Sequence, residues 1–309
     1  MMLTRQVQAQ ARCGQARQNN VVCSLHQVPM SSFTSAPISA SAAFKASQLA
    51  VRSSRLQRRS ALVCNASASS APSVPDASVS VILLAGGVGK RMGASIPKQY
   101  LDLKGQPIAT YSLQTFAHMK EVCEVVIVCD PSWRDVFQKV IPTLPKHITF
   151  KWALPGAERQ DSVYNGLQEV KPDSQLVAVH DSARPLVTAA DARRCFQDGW
   201  QVGAAVLGVA VKPTIKEVDA SGLVVKTLQR AKLWEVQTPQ VIRTQLLRDG
   251  FSLVKAQGLE VTDDVSIIEA MGKPVRITSG AYTNIKVTTP DDMSVAEKFL
   301  DEHRAKVAA

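Results

Sequence analysis

Between Gly86 and Lys98 the chain carries Gly86, Gly87, Gly89 and Gly93 together with Lys90, Arg91 and Lys98. Just ahead lies Val79-Ser80-Val81-Ile82-Leu83-Leu84, an apolar run rich in β-branched residues, which predicts a buried strand. A strand that runs into glycines lets backbone N–H groups close on an anion with no Cβ in the way. The cations add countercharge. The chemistry that such a loop serves is the binding of a nucleotide's phosphates. Loop side chains with their own positive charge also suit it to neutralising charge that grows during a transfer.

The loop is not a P-loop, and it fits a dinucleotide fingerprint poorly. A P-loop ends Gly-Lys-Ser/Thr, and here Arg91 follows Gly89-Lys90. Gly87 and Gly89 supply the G-x-G of a dinucleotide site, but Gly93 comes one position late, and no acidic ribose-binding residue follows at about 20 positions. An ordinary tight turn after a first strand is the remaining alternative. Two basic side chains in the loop, and Pro97-Lys98 beyond it, count against that.

Two more stretches carry chemistry. His180-Asp181-Ser182-Ala183-Arg184-Pro185 follows a second apolar run. A carboxylate at a strand end, facing a phosphate loop, suits Mg²⁺ or a ribose hydroxyl, since Mg²⁺ takes only one or two protein carboxylates beside phosphates and water. The alternative is a turn held by an Asp181–Arg184 pair. Pro155-Gly156-Ala157-Glu158-Arg159-Gln160-Asp161-Ser162 enters a helix, which Asp161 or Ser162 could simply cap.

The elements that must position these residues alternate. Apolar runs at 79–84, 124–129, 149–153, 176–180 and 203–209 predict strands. Helices are expected over 107–119, 134–141, 162–170, 189–202, 245–257, 263–271 and 293–304, and further strands over 274–278 and 284–287. Thr289-Pro290-Asp291-Asp292 reads as the opening of the last helix, with a cap, an N1 proline and two acids at the positive end. The alternation means an α/β fold built on a doubly wound, mostly parallel sheet. Ligands bind such sheets at the carboxyl ends of the strands. The segments 86–98, 156–162 and 181–184 all follow predicted strands and could line one crevice. Residues 213–227 break the rhythm and read as a hairpin turning at Asp219-Ala220-Ser221-Gly222. That hairpin is either an excursion or an interaction arm.

The chain has 309 residues, 45% hydrophobic and 20% charged, with a net charge of +10. The charge is uneven. Residues 1–75 hold eight Lys and Arg, 14 Ser and no acid, so the remainder is nearly neutral at 28 basic and 26 acidic residues. The overall basicity is therefore no argument for nucleic-acid binding. A Ser- and Arg-rich, acid-free leader without an apolar core has the composition of an organelle transit peptide rather than a secretory signal. A disordered basic tail or a mitochondrial address are the other readings that composition leaves open. Cleavage is expected near Val63-Cys64-Asn65-Ala66, and 66–77 reads as a flexible lead-in. Cys123, Cys129 and Cys195 are too far apart for a local metal site and read as buried thiols. No run of 18 apolar residues exists, so no membrane span is expected.

Leu84-Ala85-Gly86-Gly87-Val88-Gly89-Lys90-Arg91-Met92 and Pro97-Lys98-Gln99-Tyr100 resemble the signature of nucleotidyltransferases that couple a sugar or polyol phosphate to a nucleoside triphosphate. The Pro-Lys-Gln-Tyr form is most similar to the 2-C-methyl-D-erythritol 4-phosphate cytidylyltransferase family of the non-mevalonate isoprenoid pathway. The resemblance runs from Val79 to the end, through separated motifs in the same order. It implies a Rossmann-like nucleotidyltransferase fold over 79–309, a plastid transit peptide and lead-in over 1–75, a chloroplast stroma location, and a homodimerisation arm at about 211–230. It implies CTP and methylerythritol phosphate as substrates and Mg²⁺ as cofactor. By position, Arg91 and Lys98 are catalytic. Ala85, Gly86, Gly87, Gly89, Gly156, Ser162 and Asp181 bind nucleotide, and Asp181 also holds the metal. Arg184, Thr214, Arg230, Thr238 and Lys286 bind the acceptor, with Thr214 and Arg230 reaching from the arm into the partner's site. His180 is expected to be structural, because the reaction needs no base. Thr283 stands where bacterial relatives commonly have Asp. Asp263 and Asp264 also match the family but serve equally as helix-start acids. Alternatives are the same chemistry on another polyol phosphate such as ribitol 5-phosphate, a dinucleotide-dependent oxidoreductase, and a non-catalytic nucleotide-binding protein.

Overall fold

The computed structural model describes residues 73–87 and 96–308. Gly89, Lys90, Arg91 and Gly93 of the glycine loop, and the leader through residue 72, lie outside the described residues. The chain runs β1 (Val79–Leu84), β2 (Asp102–Leu103), β3 (Gln106–Pro107), α1 (Ile108–Ala117), β4 (Val122–Val128), α2 (Arg134–Gln138) and β5 (Thr149–Ala153). It continues through α3 (Arg159–Glu169), β6 (Leu176–Asp181), α4 (Ala189–Val202), β7 (Ala204–Ala210), β8 (Lys216–Val218) and β9 (Val224–Thr227). Then come β10 (Trp234–Arg243), α5 (Thr244–Gln257), α6 (Asp264–Ala270), β11 (Arg276–Ser279) and α7 (Pro290–Ala308).

Seven strands form the central sheet in the order β11-β7-β10-β6-β1-β4-β5. β1 pairs in parallel with both β4 and β6. Its residues alternate between two buried layers, Val81 and Leu83 packing with Leu113, Phe116 and Phe196 on one face, Ile82 with Val126, Val163 and Leu167 on the other. Burial on both faces is why β1, β4 and β6 read as continuous apolar runs. Expected and observed elements agree over most of this frame, including buried Cys123, Cys129 and Cys195. Asp292 opens α7 by accepting from the Thr288 and Thr289 N–H groups at 2.8 and 2.9 Å. No helix among the described residues is long and apolar enough to cross a membrane.

The structure corrects two sequence expectations. The first concerns β10, for which no strand was expected. It is the longest strand of the sheet and lies antiparallel between β6 and β7. Its inward polar residues, Gln237, Thr238 and Gln240, hide the apolar period. Its ladder with β7 also shifts register between Val236 and Gln240. The second concerns residues 284–287, which form no strand. Their backbone serves single tertiary bonds instead, Val287 N–H to Ala183 O at 2.8 Å and Arg184 Nη1 to Asn284 O at 2.7 Å.

The hairpin appears as expected. β8 and β9 pair antiparallel as a separate two-stranded sheet. Asp219 Oδ1 accepts from the N–H groups of Ser221 and Leu223 at 2.9 and 3.0 Å, and Gly222 takes φ +85°. That conformation favours a residue without Cβ.

Candidate active site

A cavity of about 410 Å³ opens where β1 and β6 end. Its wall includes Gly86, Gly87, Lys98, Gly156, Arg159, Ser162, Asp181, Ser182 and Lys286. Three segments that sequence reading placed after strands therefore meet in one crevice, as the strand-end rule for doubly wound sheets requires.

The glycine segment is pinned from behind. Gln99 Nε2 donates to Ala85 O at 2.7 Å and to Gly87 O at 2.8 Å, and the Tyr100 hydroxyl donates to Ala85 O at 2.7 Å. With these carbonyls occupied, the segment is held where it faces the cavity. A Cβ on Gly86 would lie 2.4 Å from Pro155 Cβ, so this position has no room for a side chain. The 3-10 turn Lys98–Tyr100 carries both pinning groups and also places Lys98 on the cavity wall. Lys98 Nζ donates to Val287 O at 2.7 Å, which ties the first loop to the 284–288 segment.

The second segment is also self-braced. Gly156 N–H donates to Ser162 Oγ at 2.9 Å, and Glu158 N–H donates to Asp161 Oδ2 at 3.0 Å. Glu158, rather than Asp161 or Ser162, is the N-cap of α3, and Ser162 stitches the loop instead.

Charge converges on Asp181. Its Oδ2 lies 2.7 Å from Lys286 Nζ and its Oδ1 3.4 Å from Arg159 Nε. Burial by itself would raise the Asp181 pKa, but Arg159 and Lys286 outweigh it and hold the carboxyl well below the usual carboxylate range. Arg159 also grips Asp264 with both terminal nitrogens, at 2.9 and 2.8 Å. Burial opposes its charge, yet Asp264 and Asp181 together raise its pKa above the ordinary guanidinium range. Gln240 on β10 accepts from the Asp264 and Val265 N–H groups at 2.8 and 3.0 Å and so fixes the start of α6. The Asp181–Arg184 ion pair that sequence reading held as an alternative gives way to these partners.

Arg184 and Thr238 lie behind the cavity wall, 8% and 3% exposed. Thr238 Oγ1 sits 3.0 Å from His180 Nδ1 and accepts from Asp181 N–H at 3.1 Å. His180 is fully buried, and that burial pushes its pKa down to about 3. That burial is in keeping with the expectation that the ring does not serve as a base. Thr214 and Arg230 stand exposed at the base of the hairpin, where Arg230 Nη1 donates to Lys212 O at 2.9 Å. They do not line the cavity of their own chain.

Sequence reading missed Gln99 and Tyr100 as loop braces, although both stand in the quoted motif. It also missed Arg159 and Asp264 as a pair, because the two are 105 residues apart and nothing local links them. Among the described residues no group of three or more His, Cys, Asp or Glu could hold a metal alone. An ionised carboxylate beside a triphosphate cavity fits a hard cation that takes its remaining ligands from phosphate and water. A larger cavity of about 560 Å³ lies between α1, α7 and residues 185–189. Among the described residues its wall, which includes Tyr111, Leu186, Phe299 and Leu300, has no Lys or Arg and does not suit a triphosphate.

Comparison with known proteins agrees with this geometry. The family described as 2-C-methyl-D-erythritol 4-phosphate cytidylyltransferase matches residues 79–302. The chloroplastic enzyme of that name from rice is 61% identical over 242 residues, covering 78% of this chain and 81% of the rice protein. The enzyme of that name from Desulforamulus reducens is 39% identical over 71% of this chain and 94% of its own length. The crystal structure of 2-C-methyl-D-erythritol 4-phosphate cytidylyltransferase from Thermus thermophilus superposes with a TM-score of 0.57 at 29% identity, covering 72% of this chain and 98% of that one. That of 4-diphosphocytidyl-2C-methyl-D-erythritol synthase from Anaerococcus prevotii superposes with a TM-score of 0.65 at 25% identity over the same shares. With a match spanning most of the chain and a cavity assembled from the same motifs, the chain belongs to the 2-C-methyl-D-erythritol 4-phosphate cytidylyltransferase family.

Proposed function

We propose that this chain transfers CMP from CTP to 2-C-methyl-D-erythritol 4-phosphate, giving 4-diphosphocytidyl-2-C-methyl-D-erythritol and pyrophosphate. The observation that carries the reading is the cavity in which Gly86, Gly87, Lys98, Asp181 and Lys286 meet. An acceptor phosphate oxygen attacks the α-phosphorus of CTP, one P–O bond forms, and the bond to the pyrophosphate oxygen breaks in line with it. The attacker is already an anion. The protein therefore needs no Ser or Cys nucleophile and no strong base. It must bring two anions together and stabilise charge on the phosphorus oxygens.

In this reading Lys98 and Arg91 carry that stabilisation, Arg91 on the strength of its place in the sequence motif. The N–H groups of Gly86 and Gly87 cradle phosphates, with Gly89 assigned by its place in the motif, and Ala85, whose own N–H is spent on Val128 O at 2.8 Å, sets where that segment begins. Gly156 and Ser162 face the base. Family membership is consistent with use of a divalent metal, and the one assigned here is Mg²⁺, held by Asp181 with the triphosphate. When bound, Mg²⁺ would draw charge from the phosphate oxygens. Lys286, paired with Asp181 at 2.7 Å, is assigned to the acceptor phosphate. Arg184 and Thr238 complete the acceptor side.

Thr214 and Arg230 are assigned to the acceptor pocket of a second copy. Exposed Val218, Leu223, Val224 and Val225 on the hairpin, at 54 to 69% exposure, support a homodimer through this arm. Residues 1–75 are assigned as a transit peptide to the chloroplast stroma, in keeping with their composition and with the chloroplastic rice relative.

The deciding experiment is pyrophosphate release by residues 76–309 with Mg²⁺, each of CTP, UTP, ATP and GTP, and methylerythritol phosphate or ribitol phosphate. Release with CTP and methylerythritol phosphate alone is expected. Release only on ribitol phosphate would keep the mechanism and overturn the acceptor. No release from a folded chain that still binds CTP would overturn the enzyme.

A further inference from the structure

His180 sits at the end of β6 with its ring edge-on to Phe116, centroids 5.0 Å apart. Its Nε2 lies 3.3 Å from Arg184 O. A carbonyl can only accept, so Nε2 carries a proton. A second ring proton would make a buried cation, and neither ring nitrogen faces a carboxylate. The ring is therefore neutral and Nδ1 is bare. Thr238 Oγ1, 3.0 Å away, must donate its proton to Nδ1. The same oxygen already accepts from Asp181 N–H at 3.1 Å. One acceptor direction is all that the Thr238 hydroxyl has left.

The bonds close into a ring. Asn284 Nδ2 donates to Thr238 O at 3.0 Å, and Asn284 O accepts from Arg184 Nη1 at 2.7 Å. His180, Thr238, Asn284 and Arg184 thus lock β6, β10 and the 284–288 segment together. Arg184 Nε is buried in this ring without a partner. A buried donor left unmade costs stability unless something supplies an acceptor.

We propose that His180 is a positioning residue for the acceptor: it sets the Thr238 hydroxyl to receive a hydrogen bond from an alcohol group and holds Arg184 beside it. So oriented, Thr238 reads an acceptor hydroxyl and cannot donate to a phosphate oxygen. The inference rests on the proposed assignment of Thr238 and Arg184, which stand behind the cavity wall, to the acceptor.

The test uses three substitutions. His180→Phe keeps ring volume and the Phe116 contact but removes both nitrogens. His180→Asn offers an amide oxygen near the Nδ1 position. His180→Gln keeps a donor toward Arg184 and loses Nδ1. Acceptor KM and kcat come from steady-state rates, and CTP affinity from calorimetry without acceptor. His180→Phe is expected to raise acceptor KM on the order of tenfold, the worth of one to two hydrogen bonds. CTP affinity stays within about twofold, and His180→Asn recovers part of the loss. In a Thr238→Val background the same change adds no more than about twofold, because the hydroxyl it orients is gone. Additive effects in the double variant, or an equal loss of CTP affinity, would overturn the proposal and leave a packing histidine. If His180→Phe does not fold, His180→Gln with and without Thr238→Val is judged by the same criterion. Unchanged acceptor KM in both Thr238→Val and Arg184→Ala would instead remove the underlying acceptor reading.

Discussion

The cavity at the ends of β1 and β6 and the β8–β9 hairpin both carry residues assigned to the site, and they are built in opposite ways. In the cavity Asp181 at the end of β6, Arg159 on α3, Asp264 on α6 and Lys286 on the 284–288 segment interlock at 2.7 to 3.4 Å. On the hairpin Thr214 and Arg230 are exposed, and Leu223, Val224 and Val225 are 69, 58 and 58% exposed. A two-stranded hairpin is marginal by itself, and apolar residues gathered on it call for a covering surface. On the assignment proposed above, the phosphate-transfer site is divided: one chain preorganises the charged half against its own core, and the hairpin presents the other half outward to a second copy.

Lys98→Ala strikes the preorganised half and carries the largest expected effect. We expect kcat to fall on the order of 10²–10³, as when one preorganised donor to developing charge is removed, with the melting temperature nearly unchanged. Mixing Lys98→Ala with Arg230→Ala chains sharpens the comparison. If the hairpin completes a second copy's cavity, random pairing restores about a quarter of the sites. Recovery of no activity, with dimers present, would place Arg230 in its own chain's site and break the division drawn here.

Gly86→Ala tests the backing of the cavity. With a Cβ 2.4 Å from that of Pro155, we expect unfolding free energy to drop by about 1–3 kcal/mol in denaturant melts. Among the described residues nothing lies within 4 Å of a Cβ on Gly87, so Gly87→Ala should leave stability alone while weakening CTP binding.

The buried half should also show a pH signature that the hairpin lacks. His180 has its pKa depressed to about 3, against about 6.5 in the unfolded chain. Its contribution is complete above about pH 6.5 and is lost as pH falls toward about 3, by about 1.4 kcal/mol per pH unit, because only the unfolded chain takes up the proton there. His180→Phe should flatten that limb of the stability profile. A slope identical to that of the parent would mean that the imidazole is not buried neutral.

The smallest effect belongs to the hairpin surface. Lys226 and Glu217 pair at 2.9 Å across β8 and β9, with side chains 60% and 47% exposed. Lys226→Ala should change stability by less than about 1 kcal/mol. A larger loss would show that this face is covered in the assembled protein.

Sequence reading succeeded where a motif is local. The Asp181 strand end, the Gly156–Ser162 helix entry and the Asp219–Gly222 turn each owe their form to residues a few positions apart. It failed where function depends on strand order. β10 escaped notice because polar Gln237, Thr238 and Gln240 face inward and break the apolar period. Those are the residues that brace Asp181, Asn284 and Asp264. Residues 284–287 looked like a strand, but their backbone groups are taken by single bonds to Ala183 and Arg184 instead of a ladder.

The sequence by itself determined the chemistry of this protein: a strand feeding glycines and cations, a carboxylate at another strand end, and an order of motifs that belongs to one family. Local spacing suffices for this, since turns, caps and phosphate loops are set within a few residues. Only the tertiary structure decided which partners those groups have. It joined Arg159 to Asp264, gave Asp181 to Lys286, and turned Thr238 toward His180. These pairings follow from how β10 enters the sheet between β6 and β7, and a long-range register of that kind leaves no periodic trace in the chain.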